Sequence, residues 1–246
     1  MELVQDPAGP DQAMEVAIAH ALVRRASLGQ VGPTLRVYRP TAPVVAFGRR
    51  DTLLPGFAEA VAACRAAGFT PVVRAPGGRA VAYTEDSLVL DHVVPDPRVP
   101  QGLERRFRQY GEAYAAALRG LGVDARVGEV PGEYCPGAHS VNARGVVKLV
   151  GTAQRIVRGA WLFSAVVVLD GGDVLRPVLR EVYRALGQPF DEACVGSVRD
   201  EAGELCPEVV TEALLAGYTA LEPLEPAKLD DATRELAAEL VPDHRV

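Results

Sequence analysis

Segments with the periodicity of strands alternate with segments with the periodicity of helices up to about residue 170, and proline and glycine separate them. The strand-like segments are TLRVYRP, PVVAFGR, TPVVRAP, RAVAYTEDSLVLDHVV, ARVGEV, VVKLVG and AQRIVRGAWLFSAVVVLD. The last two are predicted to be adjacent and antiparallel. Helix-like segments alone follow. This order predicts a main α/β body, residues 1–190, and a small helical C-terminal portion, residues 191–246.

The helices are predicted from apolar positions that recur every three or four residues. Asp11 can cap a helix that runs to about Leu28, and Gly56 to Ala67 reads as a short alanine-rich helix. The most periodic segment is LERRFRQYGEAYAAALRGLG. Its polar face is unusually rich in arginine near its start.

Composition argues against several classes of function. The chain has 246 residues, 48% of them hydrophobic, enough for a sizeable core, and its net charge of −6 offers no basic footprint for nucleic acid. The N-terminal MELVQDPAGPDQ lacks the pattern of a signal peptide, and no apolar run approaches the roughly 20 residues that cross a bilayer. Four cysteines without CxxC spacing suggest neither a disulfide framework nor a zinc site. We expect a cytoplasmic protein without a nucleic-acid or membrane partner.

The segment RAPGGRAV, residues 74–81, allows two interpretations. Paired glycines between strands either form a hairpin turn or let the backbone approach a ligand with its N–H groups turned inward. Arg74 ends a hydrophobic strand, where a guanidinium is costly unless it meets an anion or a carbonyl group. The arginine therefore favours a ligand loop, although the glycine pair alone is a weak signal.

Cys135 lies in the turn sequence YCPG, whereas structural cysteines usually lie on apolar faces, as Cys64 does in FAEAVAACRAAG. A nearby positive charge would favour the thiolate, and Lys148 can supply it if its strand runs past the turn. His139 could act as a base toward Cys135, or it could be an ordinary surface histidine. Cys194 and Cys206 show no partner pattern.

Lys148 interrupts the apolar run VVKLVG, so it either extends to solvent from an edge strand or points into a site. The residues that follow are small. Gly151, Thr152 and Ala153 would let a slender ligand lie against the backbone, and Gln154 could hydrogen-bond to it.

Three segments, in this order, resemble the lipoate/octanoate protein transferase and ligase family, which is related to the biotin protein ligases. They are PVVAFGRR, VVRAPGGRAV and VVKLVGTAQR, and they look like that family's strand-glycine segment, its Arg-x-Ser-Gly-Gly loop and its lysine loop. The resemblance covers most of residues 11–190. It implies a central mixed, largely antiparallel sheet flanked by helices.

The resemblance also implies which residues form the site. By position, Arg74, Gly77 and Gly78 lie along an acyl tunnel, continued by Ala80 and Val81, and Lys148 hydrogen-bonds the acyl carbonyl. The tunnel passes Gly151 and Ala153, with Thr152 and Gln154 beside them. EYCPGAHS resembles the cysteine-dependent octanoyl transferases, especially the amidotransferase type, in which YCPG carries the acylated cysteine; here that residue is Cys135.

The sequence departs from the family pattern at three positions of the glycine loop. Arg79 stands where the ATP-dependent ligases usually have a third glycine, and Tyr83 stands where they have histidine, which argues against nucleotide binding. Pro76 replaces the usual serine, which removes a hydroxyl and an N–H from the loop.

The resemblance therefore implies an acyltransferase without a cofactor or metal. It would move an octanoyl or lipoyl group from acyl carrier protein or an octanoylated donor protein to a lysine of a lipoyl-domain protein, through a thioester on Cys135. One alternative is an ATP-dependent ligase, which would use ATP and Mg²⁺ with Lys148 on an acyl-adenylate. Another is a non-catalytic protein that binds the acyl group. A biotin ligase ranks lower, because the Gly-Arg-Gly loop usual in that family is not evident.

Overall fold

The computed structural model describes residues 1–6, 8–97 and 102–246. Eleven strands form in these ranges: β1 (Glu2–Val4), β2 (Thr34–Tyr38), β3 (Val44–Phe47), β4 (Thr70–Val73), β5 (Val81–Tyr83), β6 (Ser87–Pro95), β7 (Ala125–Val127), β8 (Val141–Ala143), β9 (Val147–Val157), β10 (Ala160–Val168) and β11 (Glu225–Ala227). The helices of the same ranges are α1 (Gln12–Ser27), α2 (Phe57–Ala66), α3 (Leu103–Gly120), α4 (Gly172–Ala185), α5 (Val198–Ala202), α6 (Pro207–Thr219) and α7 (Asp231–Leu240). Short 3-10 helices cover Asp51–Leu53, Glu192–Cys194 and Val241–Asp243.

A large sheet of eight strands has the order β11-β1-β2-β6-β10-β9-β8-β7. Strand β1 is parallel to its neighbours β11 and β2, and the other pairs are antiparallel. A smaller sheet has the order β4-β3-β5, with β3 parallel to β4 and antiparallel to β5. The expectation of a mixed, largely antiparallel sheet flanked by helices is confirmed.

The core has two layers because side chains along a strand point alternately to opposite faces of the sheet. On β6, Val89 and Val93 pack in the layer that includes α1, α4 and the small sheet. Leu88 and Leu90 pack in the opposite layer, with α3 and α6. The large sheet is therefore covered on both faces, and the first layer encloses the space between the two sheets.

Most of the predicted elements form, and helix α1 begins and ends where the sequence indicates. The side chain of Asp11 accepts the N–H of Ala13, and Leu28 closes the helix. The prediction is wrong at β9, which is one continuous strand through VVKLVG and AQRIV. It is also wrong in placing helices alone after about residue 170, because β11 pairs with β1.

The C-terminal portion packs along the body. Tyr218 of α6 hydrogen-bonds Tyr114 of α3 through their hydroxyls. Near the C-terminus, His244 Nε2 lies 3.1 Å from His20 Nδ1. The other ring nitrogen of His244, Nδ1, lies 2.6 Å from the carbonyl oxygen of Val73. The domain boundary near residue 190 stays a prediction. In the described part of the chain, no helix is both long and apolar enough to cross a membrane.

Candidate active site

The loop between β4 and β5 carries Gly77 and Gly78. It is not a hairpin turn, because β4 and β5 both pair with β3 rather than with each other. At Gly78 the φ angle is +94°, and a Cβ would lie 2.6 Å from both Arg74 Nη2 and Cys135 Sγ. Gly48, just after β3, also has no room for a side chain, since a Cβ there would lie 1.9 Å from the carbonyl oxygen of Gly78. Glycine at these positions brings the loop backbone against the thiol.

The turn that carries Cys135 is closed by one buried carboxylate. Glu133 Oε1 accepts hydrogen bonds from the N–H of Gly137 and the hydroxyl of Ser140, both at 3.0 Å. Cys135 itself has a φ angle of +44°, in the left-handed region. A residue other than glycine pays roughly 1–3 kcal/mol for such a conformation, so the surrounding contacts must hold it.

Tyr183 of α4 joins the cysteine turn to the glycine loop. Its buried hydroxyl accepts the N–H of Cys135 at 2.6 Å and donates to the carbonyl oxygen of Ala80 at 2.9 Å. One side chain therefore fixes the distance between the two loops.

Lys148 is buried, with 1% of its surface exposed, because β9 lies inside the sheet between β8 and β10. The alternative that it extends to solvent from an edge strand is wrong. Its Nζ donates to the carbonyl oxygens of Tyr134 and Cys135, each at 2.9 Å, and pairs with Glu133 Oε2 at 2.9 Å. The ammonium group thus lies directly behind the cysteine turn.

The Cys135 sulfur accepts the N–H of Arg79 at 3.2 Å and Nη2 of Arg74 at 3.4 Å. The same Nη2 donates to the carbonyl oxygen of Arg79 at 2.8 Å, which holds the guanidinium in place. Burial alone would raise the pKa of the Cys135 thiol. The charges of Arg74 and Lys148 and the Arg79 N–H outweigh burial, and the pKa is lowered below its ordinary value of 9.0. The site therefore favours the thiolate, the nucleophilic form of cysteine.

Cavities lie on both sides of Cys135. An outer cleft of about 380 Å³ opens between the glycine loop, the cysteine turn and the first turn of α3, where Leu103 and Phe107 line it. An inner cavity of about 40 Å³ lies between the large and small sheets, beneath Arg74. A small space of about 10 Å³ lies between them. Arg74 lines both this space and the inner cavity, and Cys135 and Thr152 line both this space and the outer cleft.

The inner cavity is lined mainly by apolar side chains, with a few polar groups among them. The walls include Val16, Ala46, Val81, Val89 and Val166. The polar lining comes from Asp91 and Ser164, which are cross-strand partners on β6 and β10 and hydrogen-bond to each other, together with Tyr38 and Tyr83. The apolar part of this lining suits methylene groups.

The structure brings the residues predicted from the sequence together around Cys135. Arg74 and Val81 line the inner cavity, and Gly151 lines the space next to it; the outer cleft is lined by Gly77, Gly78, Thr152, Ala153 and Gln154. Ala80 and Lys148 lie behind these surfaces and hold the two loops.

His139 lines the outer cleft with Cys135 but is engaged elsewhere. Its Nε2 lies 2.6 Å from Glu104 Oε1, and its ring stacks on Phe107 with 5.8 Å between the ring centres. Among the described residues, no hydrogen bond joins it to the thiol. Its suggested role as a base stays a prediction without geometric support.

Glu133 and Tyr183 are site residues that the sequence reasoning missed. A signal existed for Glu133, because a buried lysine needs an anion and this carboxylate lies two residues before the cysteine. No local signal existed for Tyr183, which is one of several apolar positions on the buried face of α4.

Another cavity lies apart from this site. A surface depression of about 630 Å³ between β2 and α6 contains none of the predicted site residues. Within residues 1–6, 8–97 and 102–246, no group of three or more His, Cys, Asp or Glu side chains is arranged to hold a metal ion.

Comparison with known proteins identifies relatives of this chain. The family model of the lipoyl protein ligase A/B catalytic domain matches residues 11–219. Octanoyltransferase LipM of Kyrpidia tusciae is 32% identical, over 93% of this chain and 90% of that protein. The octanoyl-GcvH:protein N-octanoyltransferase of an Exiguobacterium species is 30% identical, over 64% of this chain and 56% of that protein.

Solved structures share the fold. Lipoate-protein ligase A bound with ATP matches with a TM-score of 0.79 and 24% identity, over 98% of this chain and 94% of that one. A bipartite lipoate protein ligase from Thermoplasma acidophilum matches with a TM-score of 0.75 and 22% identity, over 98% and 91% of the two chains. The chain belongs to the lipoyl protein ligase A/B catalytic domain family.

Proposed function

We propose that this protein is an acyltransferase that moves an octanoyl or lipoyl group to a lysine of a lipoyl-domain protein through a thioester on Cys135. The observation that carries the proposal is a thiol of lowered pKa where the glycine loop, the cysteine turn and the outer cleft meet. The names of the relatives, an octanoyltransferase and an octanoyl-GcvH:protein N-octanoyltransferase, support the octanoyl cargo and the lipoyl-domain partner.

The reaction has two steps. The Cys135 thiolate attacks the acyl carbonyl of the donor, forming a carbon–sulfur bond while the bond to the donor's sulfur or nitrogen breaks and the leaving group takes up a proton. The lysine amine of the acceptor then attacks the thioester, loses a proton and releases the Cys135 thiolate. A covalent intermediate divides one difficult exchange into two easier ones.

The tetrahedral intermediate of each step carries a negative oxygen that needs donors. The Arg79 N–H and Arg74 Nη2 already point at the sulfur, so they lie close to a carbonyl carbon bound to it. Donors of this kind commonly contribute ~3–4 kcal/mol to the transition state. The family resemblance implies that Lys148 hydrogen-bonds the acyl carbonyl, and that role stays a prediction. The three contacts of Lys148 with Tyr134, Cys135 and Glu133 support a role in positioning the cysteine turn. Its charge also helps to lower the pKa of the Cys135 thiol.

The acyl chain is proposed to extend from Cys135 into the inner cavity. Each buried methylene contributes about 0.8 kcal/mol, so even partial burial favours a medium-length chain over a short one. No ATP or Mg²⁺ takes part in the proposed reaction, because the donor already carries an activated or exchangeable acyl group. Acyl carrier protein as donor and a cytoplasmic location stay predictions.

The proposal is tested with an octanoylated donor protein and an unmodified lipoyl domain, incubated with the enzyme in the absence of ATP. We expect octanoyl transfer by the wild type and by Cys206→Ser, an exposed cysteine away from the site, and none by Cys135→Ser. Transfer that requires free octanoate, ATP and Mg²⁺ would instead identify a ligase. Equal acyl binding by the wild type and Cys135→Ser, with no turnover by either, would identify a non-catalytic acyl-binding protein.

A further inference from the structure

The charges of this protein are not evenly distributed. Over the part of the chain that the structure describes, many exposed arginines pair with a carboxylate, among them Arg39, Arg119, Arg126, Arg180 and Arg199. A second group pairs with no carboxylate in the described ranges. Those on or beside the glycine loop and at the start of α3, here called the basic rim, are Arg79, Arg155, Arg105 and Arg108, together with Arg49 and Arg24, whose charges act on Arg155.

One side of the basic rim adjoins the glycine loop. Arg79 belongs to the loop, and Arg155 donates to the carbonyl oxygen of Ala75 at 3.1 Å. The pKa of the Arg155 guanidinium is lowered, first by burial and then by the charges of Arg49 and Arg24. These arginines are therefore close enough to repel one another.

The other side of the basic rim is the first part of α3. Leu103, Glu104 and Phe107 of this helix line the outer cleft. Arg108 lies four residues after Glu104, on the same helix face, and Arg105 is one turn before Arg108; both are exposed. Glu104 pairs with His139 rather than with either arginine. The arginine-rich start of this helix thus borders the entrance to Cys135.

Unpaired like charges around one opening are unfavourable unless a partner of opposite charge meets them. The whole chain carries −6, so an acidic partner is attracted at this opening and repelled over much of the remaining surface. The rim flanks the cleft on two sides and does not converge on a single point, which suits a protein surface better than a small anion. A protein that delivers an acyl group into the cleft comes close to this rim, because Leu103, Glu104 and Phe107 of α3 line the same cleft.

We propose that the basic rim is the docking surface for an acidic face of the lipoyl-domain protein that exchanges its acyl group with Cys135. This inference rests on the proposed function. It adds the surface and the charge by which the partner is recognised, and it gives the arginines of α3 a role outside the chemistry.

The test compares two donors across a range of salt. The first is an octanoylated lipoyl-domain protein, and the second is octanoyl-N-acetylcysteamine, a small uncharged thioester that needs no docking. Arg105→Glu/Arg108→Glu is compared with Arg119→Glu/Arg126→Glu, which changes the net charge equally at the far end of α3 and on β7. Rates are measured from about 50 mM to about 500 mM NaCl, where screening of exposed charges becomes strong.

For the wild type we expect KM for the protein donor to rise with salt, while acylation by the small thioester stays constant. Arg105→Glu/Arg108→Glu should raise KM for the protein donor about tenfold or more at low salt, because rim charges act mainly on encounter, and should leave kcat and the small thioester reaction unchanged. The control pair should behave as the wild type.

A salt-independent KM for the wild-type enzyme would overturn the docking proposal without any variant, and so would an equal loss in both double variants. Inhibition by inorganic phosphate beyond that of chloride at equal ionic strength would also overturn it, in favour of a small-anion site. Failure of Cys135 to react with either donor would be a different result, since it would contradict the proposed function itself.

Discussion

The surroundings of three cysteines of this chain shift the pKa of the thiol in different directions. Burial raises the pKa of Cys64 to about 12 and that of Cys194 to about 11. At Cys135 burial acts in the same direction, but the charges of Arg74 and Lys148 outweigh it. The difference lies in the neighbouring charges, which belong to segments distant along the chain.

The first prediction concerns the ionisation of Cys135. Because its pKa is lowered, alkylation by iodoacetamide should reach half of its maximal rate below pH 9.0, the ordinary value. Arg74→Met removes the largest stabilising charge and should shift this midpoint upward. The rate of mass increase across a pH series measures both, with Arg65→Met as a control at an exposed arginine away from the site. An identical midpoint in the wild type and Arg74→Met would show that Arg74 does not tune the thiol.

Turn chemistry and the interrupted apolar run are local signals that make Cys135 and Lys148 candidates, and the family resemblance is what places them with the glycine pair around one acyl chain. No local signal marks Tyr183, which joins the cysteine turn to the glycine loop. The bond from Tyr183 to Ala80 spans 103 positions along the chain, and no local pattern encodes a contact that depends on the packing of α4.

The second prediction concerns the buried pair of Glu133 and Lys148. Glu133→Gln keeps the shape of the side chain but leaves the ammonium without its counter-charge, and breaking a buried pair typically costs roughly 3–5 kcal/mol. Urea unfolding should show a loss of this order, and Lys148→Met combined with Glu133→Gln should recover part of it. Additive losses in the double variant would mean that the two side chains do not interact.

At the scale of elements, the small sheet is what brings the glycine loop to the thiol. Strand β3 lies between β4 and β5, so the chain must cross from one edge of this sheet to the other, and the loop that crosses carries Gly77 and Gly78. The strands missed by the sequence reasoning, β1, β8 and β11, have three residues each, too few for an alternating pattern to be recognised.

The third prediction tests the closeness of this loop to β3. Gly48→Ala places a methyl group 1.9 Å from the carbonyl oxygen of Gly78, so the loop must move away from Cys135. Misplacement on the scale of 1 Å can cost roughly 10²-fold in rate, and acylation of Cys135 should fall by that order. Gly120→Ala is the matched control, because a Cβ there meets open space. Acylation by Gly48→Ala within twofold of the control would contradict the role assigned to the loop.

Two buried histidines make the stability of the folded protein depend on pH. Burial, followed by the charges of His244 and nearby arginines, lowers the pKa of His20 to about 4, and burial lowers that of His92 to about 3. Neither ring nitrogen of His92 has a hydrogen-bond partner in the described residues, and aromatic rings of Tyr110, Trp161 and Tyr218 surround it. Both histidines are therefore held neutral in the folded protein.

The fourth prediction follows from the sign of these shifts. Below the ordinary pKa of 6.5 the unfolded chain binds protons that the folded chain excludes. The free energy of unfolding therefore keeps its full histidine contribution above about pH 6.5 and falls as the pH decreases toward 4. The slope is at most about 1.4 kcal/mol per pH unit for each histidine. Urea unfolding at a series of pH values measures it, and His92→Leu should reduce the loss at pH 5. An unchanged slope in that variant would show that His92 does not contribute.

In the proposed reaction Cys135 carries the acyl group between donor and acceptor. The most direct test of this role is intact-mass analysis of the protein after exposure to an octanoylated donor without ATP, followed by mapping of the modified peptide. We predict a mass increase of one octanoyl group on the peptide that contains Cys135, removed when an unmodified lipoyl domain is added and absent in Cys135→Ser. An unmodified wild-type protein that still transfers the octanoyl group, or an adduct that forms equally in Cys135→Ser, would contradict it.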